Sequence, residues 1–516
     1  MRCKRGTDLR KKFYLTTPVY YVNDIPHLGH AYTTIAADAL ARYKRLKGYE
    51  VLFLTGTDEH GDKINRAAKE KGITPLELAD QVVSRFQHLW KKLSISNDDF
   101  IRTTESRHTQ AVSKIFQRLY EQKDIYQGTY KGWYCVPCES FWLEPQLKEG
   151  QLCPECGRKT EKVEEKSYFF RLSRYQRPLL EHFDHHPNFV LPPSRKNEVV
   201  EFVKRGLKDL SITRLKLAWG VPCPVEREHT IYVWIDALIN YISALGYGVN
   251  KDRFSSYWPA DVHLVGKDIL RFHAIIWPAL LMALGIELPH TVFAHGWWKI
   301  KGEKMSKSKK NVIDPEEIVK QHGSDQLRYF LLREVPFGED GNFSSPLFIK
   351  RVNGDLANDL GNLLNRTIPL VVRHCGGKVP SPANEDKTLA EKIRKILPLL
   401  DEAMNILSFS EALSYAWEIV KSANLYIDRC APWKLAREED GQKRLNTVLY
   451  NLLETLRVLA LLLFPFIPGS AKKMWAQLGI EEDLGSQTLD RANAWGRLSP
   501  GTTVKKGPPL FPRIRM

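Results

Sequence analysis

The chain is 516 residues long, 43% hydrophobic and 26% charged, too long for one ordinary domain and of ordinary globular composition. Lys and Arg number 76 against 60 Asp and Glu, a formal charge of +16. That balance points to a polyanionic partner such as nucleic acid, although a merely basic protein shares it. The large core needs no disulfide scaffold, no signal-type apolar stretch follows the basic start (Arg2, Lys4, Arg5, Arg10, Lys11, Lys12), and the longest apolar run, residues 458–464, is too short to span a bilayer. The expectation is a cytoplasmic protein without a membrane partner, with an organelle-targeting role for residues 1–12 left open.

Residues 13–21 are rich in aromatic, Thr and Val residues, which predicts a strand. A loop with Pro26 leads into a helix predicted over 29–47, where Ile35, Ala39, Leu40, Tyr43 and Leu46 recur at helical spacing and Gly48 stops the run. Residues 51–54 read as the next strand, and strand, loop, helix, strand opens a doubly wound α/β sheet. The rhythm lapses over 119–228, with cysteine pairs, Pro192, Pro193 and mixed strand signals. It returns with strands predicted over 230–235, 262–265 and 291–294 and a helix over 270–284. The expected architecture is a Rossmann-type domain in two halves, 13–118 and 229–345, split by an insertion over 119–228. From 346 to 516 the pattern is helical, as over 349–372, 389–407 and 445–463, which predicts an all-α bundle and tail.

The sharpest local feature is His27-Leu28-Gly29-His30, between the first predicted strand and its helix. Both imidazoles can face an anion on the helix N-terminus, where backbone N–H groups and the helix dipole favour phosphate, and Gly29 lets a ligand approach closely. Two histidines at this spacing are also compatible with plain surface or core positions; the strand-to-helix context favours function. The second feature is Lys304-Met305-Ser306-Lys307-Ser308, in a run that also holds Lys299, Lys301, Lys309 and Lys310. A charge run is ordinarily a solvated loop. This one follows the last predicted strand, where α/β folds place ligands, and its lysines can neutralise charge on an α-phosphate in reaction.

Together these stretches resemble the paired signatures of class I aminoacyl-tRNA synthetases. TTPVYYVNDIPHLGH (16–30), TGTDEHG (55–61), WIDALINY (234–241) and GKDILRFH (266–273) narrow the resemblance to methionyl-tRNA synthetases, of the bacterial and organellar branch with one zinc knuckle. The match covers nearly the whole chain and fades after about Gly479. It implies ATP-dependent ligation of L-methionine to tRNA through methionyl-adenylate, with Mg²⁺ accompanying ATP. By position it implies that His27, His30, Lys304 and Lys307 are catalytic, and that Gly29, Gly266, Asp268 and His295 join His27, His30 and Lys307 around the nucleotide. Asp58 resembles the carboxylate that holds the substrate amino group. Val19, Tyr21, Trp234, Ala237, Leu238, Tyr241, Ile269, Phe272 and His273 resemble the methionine pocket, where selection uses shape and sulfur contact with aromatic edges. Core packing is the plain alternative for Trp234 and Tyr241. In the helical part, Asn362, Arg366 and Trp433 match anticodon-reading residues, which supply the stacking planes and edge hydrogen bonds that single-stranded RNA requires.

Cys135, Cys138, Cys153 and Cys156 form C-x2-C-x14-C-x2-C, which suits one closed, structural zinc site, with a central gap slightly under the usual range. A disulfide pair is the alternative. Three rival functions are weaker. The valine, leucine and isoleucine synthetases need a far larger editing insertion, since one methylene discriminates by only about 1–3 kcal/mol. A metabolic nucleotidylyl transferase has no use for an RNA-reading helical domain, and an inactive paralogue has no reason to keep His27, His30, Asp58 and Lys307. A monomer is expected, because no dimerising C-terminal domain follows.

Overall fold

The structure, a computed structural model, describes residues 11–22, 25–215, 217–300, 302–304, 313–383, 385–490 and 494–515. Its centre is a six-stranded sheet of β1 (Lys12–Tyr21), β2 (Glu50–Asp58), β3 (Asp99–Arg102), β4 (Val190–Leu191), β5 (Val262–Gly266) and β6 (Val292–His295), in the order β3-β2-β1-β5-β6-β4. Every pairing is parallel. Nearly all positions of β1 and β2 are buried, as a parallel sheet covered on both faces requires. From β1 the chain goes outward to β2 and β3 on one side, then to β5 and β6 on the other. The switch point therefore lies between β1 and β5, where such folds open a ligand crevice beyond the strand ends.

Register brings the functional candidates into one row. Tyr21 lies opposite Asp58 at the ends of β1 and β2, and Gly266 lies opposite His295 at the ends of β5 and β6. A register shift between Thr16 and Val19 breaks the regular ladder just before Tyr21.

Within residues 119–228, Ile125–Cys135, Ser140–Trp142, Glu161–Phe170 and Leu210–Ser211 make a separate four-stranded antiparallel sheet. The same stretch also supplies β4, which pairs with β6. The interruption is thus threaded into the edge of the main sheet, which the Pro-rich sequence there concealed.

One expectation needs correction. The strand predicted over 230–235 is only His229–Ile231, and a helix, Val233–Leu238, follows at once. Its aliphatic run suits a strand, but helical spacing lets Asp236 reach two buried histidines while Ala237 and Leu238 pack inward. The helices predicted over 270–284 and 349–372 are present but not regular throughout. Each contains a π-turn segment, Phe272–Ile276 and Val352–Gly361, and such segments concentrate at functional sites.

Helix α1 (Leu28–Leu46) follows β1. Helix α2 (Ser324–Arg333) leads from the sheet into the helical part, built from α3 (Asn362–His374), α4 (Thr388–Asn405), α5 (Phe409–Cys430), α6 (Gln442–Leu463) and α7 (Pro468–Gln477). Among the described residues α6 alone has the length and apolarity to cross a membrane, and it is buried in the bundle, 94% of its most apolar window being covered. The chain beyond α7 returns to the bundle. Glu454 of α6, fully buried and paired with Arg457 at 2.7 Å, accepts the backbone N–H groups of Gly496, Arg497 and Leu498 at 2.9–3.1 Å.

Candidate active site

His27 is the N-cap of α1, and its Nδ1 accepts the Gly29 N–H at 3.0 Å. His30 reaches back, its Nδ1 accepting the His27 N–H at 3.2 Å, which closes a capping box made of two imidazoles. The rings stack, with centroids 3.8 Å apart. Because each Nδ1 is an acceptor from a backbone donor, the proton of each neutral ring sits on Nε2. Burial, with the neighbouring His27, holds His30 well below the usual histidine range, so it stays neutral. The site is thus a pair of neutral N–H donors on a helix N-terminus, the arrangement that receives a phosphate oxygen without a fixed cation. Gly29 leaves room for that ring: a Cβ there would lie 2.9 Å from His27 Cε1, and the imidazole would have to shift.

Gly266 and His295 face this cap from across the switch point. A side chain at Gly266 would collide with the Asp268 carboxylate, 2.6 Å from the Cβ position. His295 is buried with both ring nitrogens engaged, Nδ1 donating to the Gly296 carbonyl at 2.8 Å and Nε2 receiving the Thr33 hydroxyl at 2.7 Å. Thr33 is one turn into α1, so His295 acts on the cap by tying that helix to β6. Asp268 is exposed and accepts the Trp297 indole N–H at 3.2 Å. Nearby, Asp340 holds Lys267 and Lys299 at 2.7 Å each, and these contacts keep its carboxyl well below the usual range despite burial. Lys304 ends the short strand Glu303–Lys304, which pairs with Trp298–Ile300. Met305, Ser306, Lys307 and Ser308 lie outside the described residues.

Asp58 ends β2 with only 6% of its surface exposed, and its Oδ1 has no hydrogen-bond partner among the described residues. Burial, then the carboxylates of Asp236 and Glu139, push it well above the usual carboxylate range. The His60 N–H bonds the carboxyl, but a buried carboxyl oxygen left without a partner at a strand end is costly unless a cationic ligand completes it. Asp236 has the opposite fate. Burial works to raise it, but His60 and His108, at 2.7 and 2.9 Å, outweigh that and hold it at about 2.

Most of the side chains expected as a pocket belong to one hydrophobic cluster, and Tyr21 at its edge lies opposite Asp58. Val19, Tyr21, Trp234, Ile269 and Phe272 are partly exposed and pack on one cluster with the buried Leu238 and Tyr241. Ala237 is buried beside Leu238 on the same short helix. Trp234 and Phe272 stack at 3.8 Å. His273 donates from Nδ1 to the Ile269 carbonyl at 2.9 Å, so its Nε2 accepts the Tyr241 hydroxyl at 2.7 Å, and burial lowers its pKa to about 4.

Besides Asp236, three residues here carried no role in the sequence reading. Glu139 adjoins Cys138, has a left-handed φ of 48°, and receives the Tyr21 hydroxyl at 3.0 Å and the Lys63 N–H at 2.8 Å. It thereby joins the cysteine cluster to the pocket. His60 and His108 are the others; His60 sat in a quoted motif without a visible partner, and His108 had no signal at all.

The four knuckle sulfurs lie within 4.8 Å of one another, with separations of 3.5 Å for Cys135–Cys156 and 3.9 Å for Cys138–Cys153. Four thiolates each about 2.3 Å from a tetrahedral metal sit about 3.8 Å apart, so the group can hold a metal ion. None of the four is disulfide-bonded.

In the helical part, Asn362 and Arg366 share a face of α3. The Arg366 guanidinium lies 5.7 Å over the Trp433 ring and bonds Asp428 at 2.5 Å. Trp433 is 40% exposed, which its place beside Pro432 did not foretell. Asn362 opens onto a polar cleft of ≈ 300 Å³ with Asn358, Asn365 and Arg513.

The strand-end row, the imidazole cap and the buried Asp58 carboxyl define a nucleotide-binding enzyme of the doubly wound α/β class. Residues 13–165 and 156–368 match the family model of class I tRNA synthetases (M), and 377–516 match the anticodon binding domain of methionyl tRNA ligase. A methionine–tRNA ligase of Caldanaerobacter subterraneus is 54% identical over 98% of this chain and 79% of its own, and one of Clostridium acetobutylicum is 50% identical over 98% and 78%. The solved structure of Mycobacterium tuberculosis methionyl-tRNA synthetase in complex with methionyl-adenylate superposes with a TM-score of 0.94 at 43% identity, covering 98% of this chain and 100% of that one. The chain belongs to the methionyl-tRNA synthetase family of class I tRNA synthetases.

Proposed function

We infer that this chain ligates L-methionine to its cognate tRNA by way of methionyl-adenylate, releasing AMP and pyrophosphate. The observation that supports this reading is the set of strand ends, which carry the double-imidazole cap, a buried carboxyl with one unpartnered oxygen among the described residues, and aromatic side chains of one apolar cluster. In the first step a methionine carboxylate oxygen attacks the α-phosphorus of ATP, and the bond to the pyrophosphate oxygen breaks with its electron pair. Asp58 holds the α-ammonium, while Val19, Tyr21, Trp234, Ala237, Leu238, Tyr241, Ile269, Phe272 and His273 enclose the thioether. His27 and His30 donate Nε2–H bonds to α-phosphate oxygens as charge builds there. Gly29, Gly266 and Asp268 admit the nucleotide, His295 fixes the cap through Thr33, and Lys304 and Lys307 neutralise the departing pyrophosphate, where Mg²⁺ bound with ATP would add positive charge. In the second step the 2′-hydroxyl of the tRNA terminal adenosine attacks the methionyl carbonyl, AMP leaves, and the hydroxyl proton passes to it. Positioning and charge stabilisation suffice without a protein nucleophile.

Zinc fits the four cysteines by donor type and spacing. Cys135, Cys138, Cys153 and Cys156 would hold it with all four positions filled, and it would supply a structural cross-link that fixes the turn presenting Glu139 to Tyr21. Asn362, Arg366 and Trp433 read the anticodon. Methionine-dependent ATP–pyrophosphate exchange, measured across the twenty amino acids, tests the assignment. Methionine should be the best substrate by a wide margin; a better one would displace the reading.

A further inference from the structure

Arg328, in the middle of α2, is fully buried and bonded in four directions. Its Nε donates to the Phe466 carbonyl at 2.8 Å, Nη2 to the Pro465 carbonyl at 2.8 Å, and Nη1 to the Leu93 carbonyl at 3.1 Å. Nη2 also pairs with Asp38 of α1 at 2.7 Å, and neither side chain has any exposed surface. One turn earlier on α2, Asp325 receives the N–H groups of Gly469 and Ser470, at 3.4 and 2.5 Å. The corner between α6 and α7 is therefore held at its carbonyls by a cation and at its amides by an anion, each matched to the helix end it meets.

The far half of α1 is gripped by the same helical domain. Tyr43 donates its hydroxyl to Asp401 of α4, Lys47 pairs with Asp401 at 2.9 Å, and Lys44 bonds Asn405 at 2.9 Å. Asp38 is locked further by Arg42 at 2.8 Å and by the Ser96 N–H and hydroxyl at 2.7 and 2.6 Å. The helix that carries His27 and His30 at one end is thus anchored to the helical domain at its middle and its other end.

A buried ion pair is a poor choice if stability is its whole purpose, since apolar residues of equal volume commonly do as well. What it supplies is fixed geometry. From Asp38 to the N-cap α1 spans about 16 Å, so a tilt of about 2° at Asp38 moves the imidazoles by about 0.5 Å. Displacements of about that size are what catalytic groups tolerate least.

We propose that Arg328 is a positioning residue of the reaction, which couples RNA docking on the helical domain to the placement of the His27–His30 cap through Asp38 and α1. The proposal rests on the RNA-reading role of the helical domain given above. Arg328→Lys keeps a charge for Asp38 and loses the fork to residues 465 and 466. In the folded variant, kcat of methionine-dependent pyrophosphate exchange should fall about tenfold while KM for methionine and for ATP stays within about twofold. Wild-type kcat in folded Arg328→Lys overturns the proposal, as does a loss that lies in KM alone.

Amide hydrogen exchange of the full wild-type chain, with and without an anticodon stem-loop RNA of methionine tRNA, keeps the test independent of whether the variant folds. Slowed exchange should appear in α1 and at 464–470 together with residues 362–366. Protection confined to residues beyond 345 other than 464–470 overturns the coupling and leaves the RNA reading intact. No protection anywhere removes the RNA reading and this inference with it.

Discussion

Replacing Asp58 by Asn removes one charge and almost no volume, and the structure says what that does to the free and the loaded enzyme separately. In the free enzyme Oδ1 is buried and unpartnered, with Asp236 and Glu139 as acidic neighbours. Its pKa in the folded state is raised above the unfolded one, so the native chain retains the proton longer, and stability declines as pH rises from about 4 toward that raised value. Asn cannot ionise; the variant should lose that part of the slope and melt at the same or a higher temperature than wild type near neutral pH. With substrate the sign reverses. A charge-assisted hydrogen bond to the α-ammonium is worth about 1.5–3 kcal/mol, so KM for methionine should rise about 10- to 100-fold in pyrophosphate exchange, with KM for ATP nearly unchanged. Inhibition by the des-amino analogue of methionine should not change, because that ligand has nothing for Asp58 to hold. A KM shift below about threefold, or an equal shift for the des-amino analogue, would refute the assignment of this carboxyl to the amino group.

Three further outcomes are expected. Lys307→Ala should slow adenylate formation strongly and leave methionine affinity nearly unchanged, since its charge matters when pyrophosphate departs; single-turnover kinetics separate the two, and a loss wholly in binding contradicts the role. Cys153→Ser should release zinc, measurable by metal analysis, and should weaken methionine binding as Glu139 loses its hold on Tyr21; wild-type protein purified without stoichiometric metal would sink the zinc assignment. Trp433→Ala should impair aminoacylation of tRNA about ten- to hundredfold and spare tRNA-independent pyrophosphate exchange, because one base stacked on an aromatic ring is worth about 1–3 kcal/mol. Loss of both activities would mark the ring as a folding residue.

What the sequence made legible depended on whether a feature is local. The βα turn at His27 was visible because a strand pattern, a Pro-containing loop and a helical repeat meet there, and α1 begins within one residue of the expected start. The proton positions on its imidazoles were not, because they follow from which backbone N–H each Nδ1 accepts. Thr230 to Ile235 misled the strand reading for a related reason. Val233 and Ile235 look extended, and the helix is favoured there by the partners Asp236 finds 128 and 176 residues away. Cysteine spacing announced the knuckle, but nothing near Cys138 showed that Glu139 would turn back toward Tyr21. Arg328 was one basic residue among 76 until long-range packing gave it four partners.

The inward carboxylate of Glu454 sets a limit on how the helical domain can be trimmed. Its oxygens are shared among Arg457 and three consecutive amides contributed by a segment without a helix or strand of its own. A proteolytic cut ahead of Gly496 would remove none of the five named helices, α3 to α7, yet it would leave that anion short of three donors, at about 1–3 kcal/mol for the unmet demand. The segment around 496–498 thus behaves as a keystone laid from outside, and a fragment that ends with α7 would be helical, complete in outline and poorly folded at its centre.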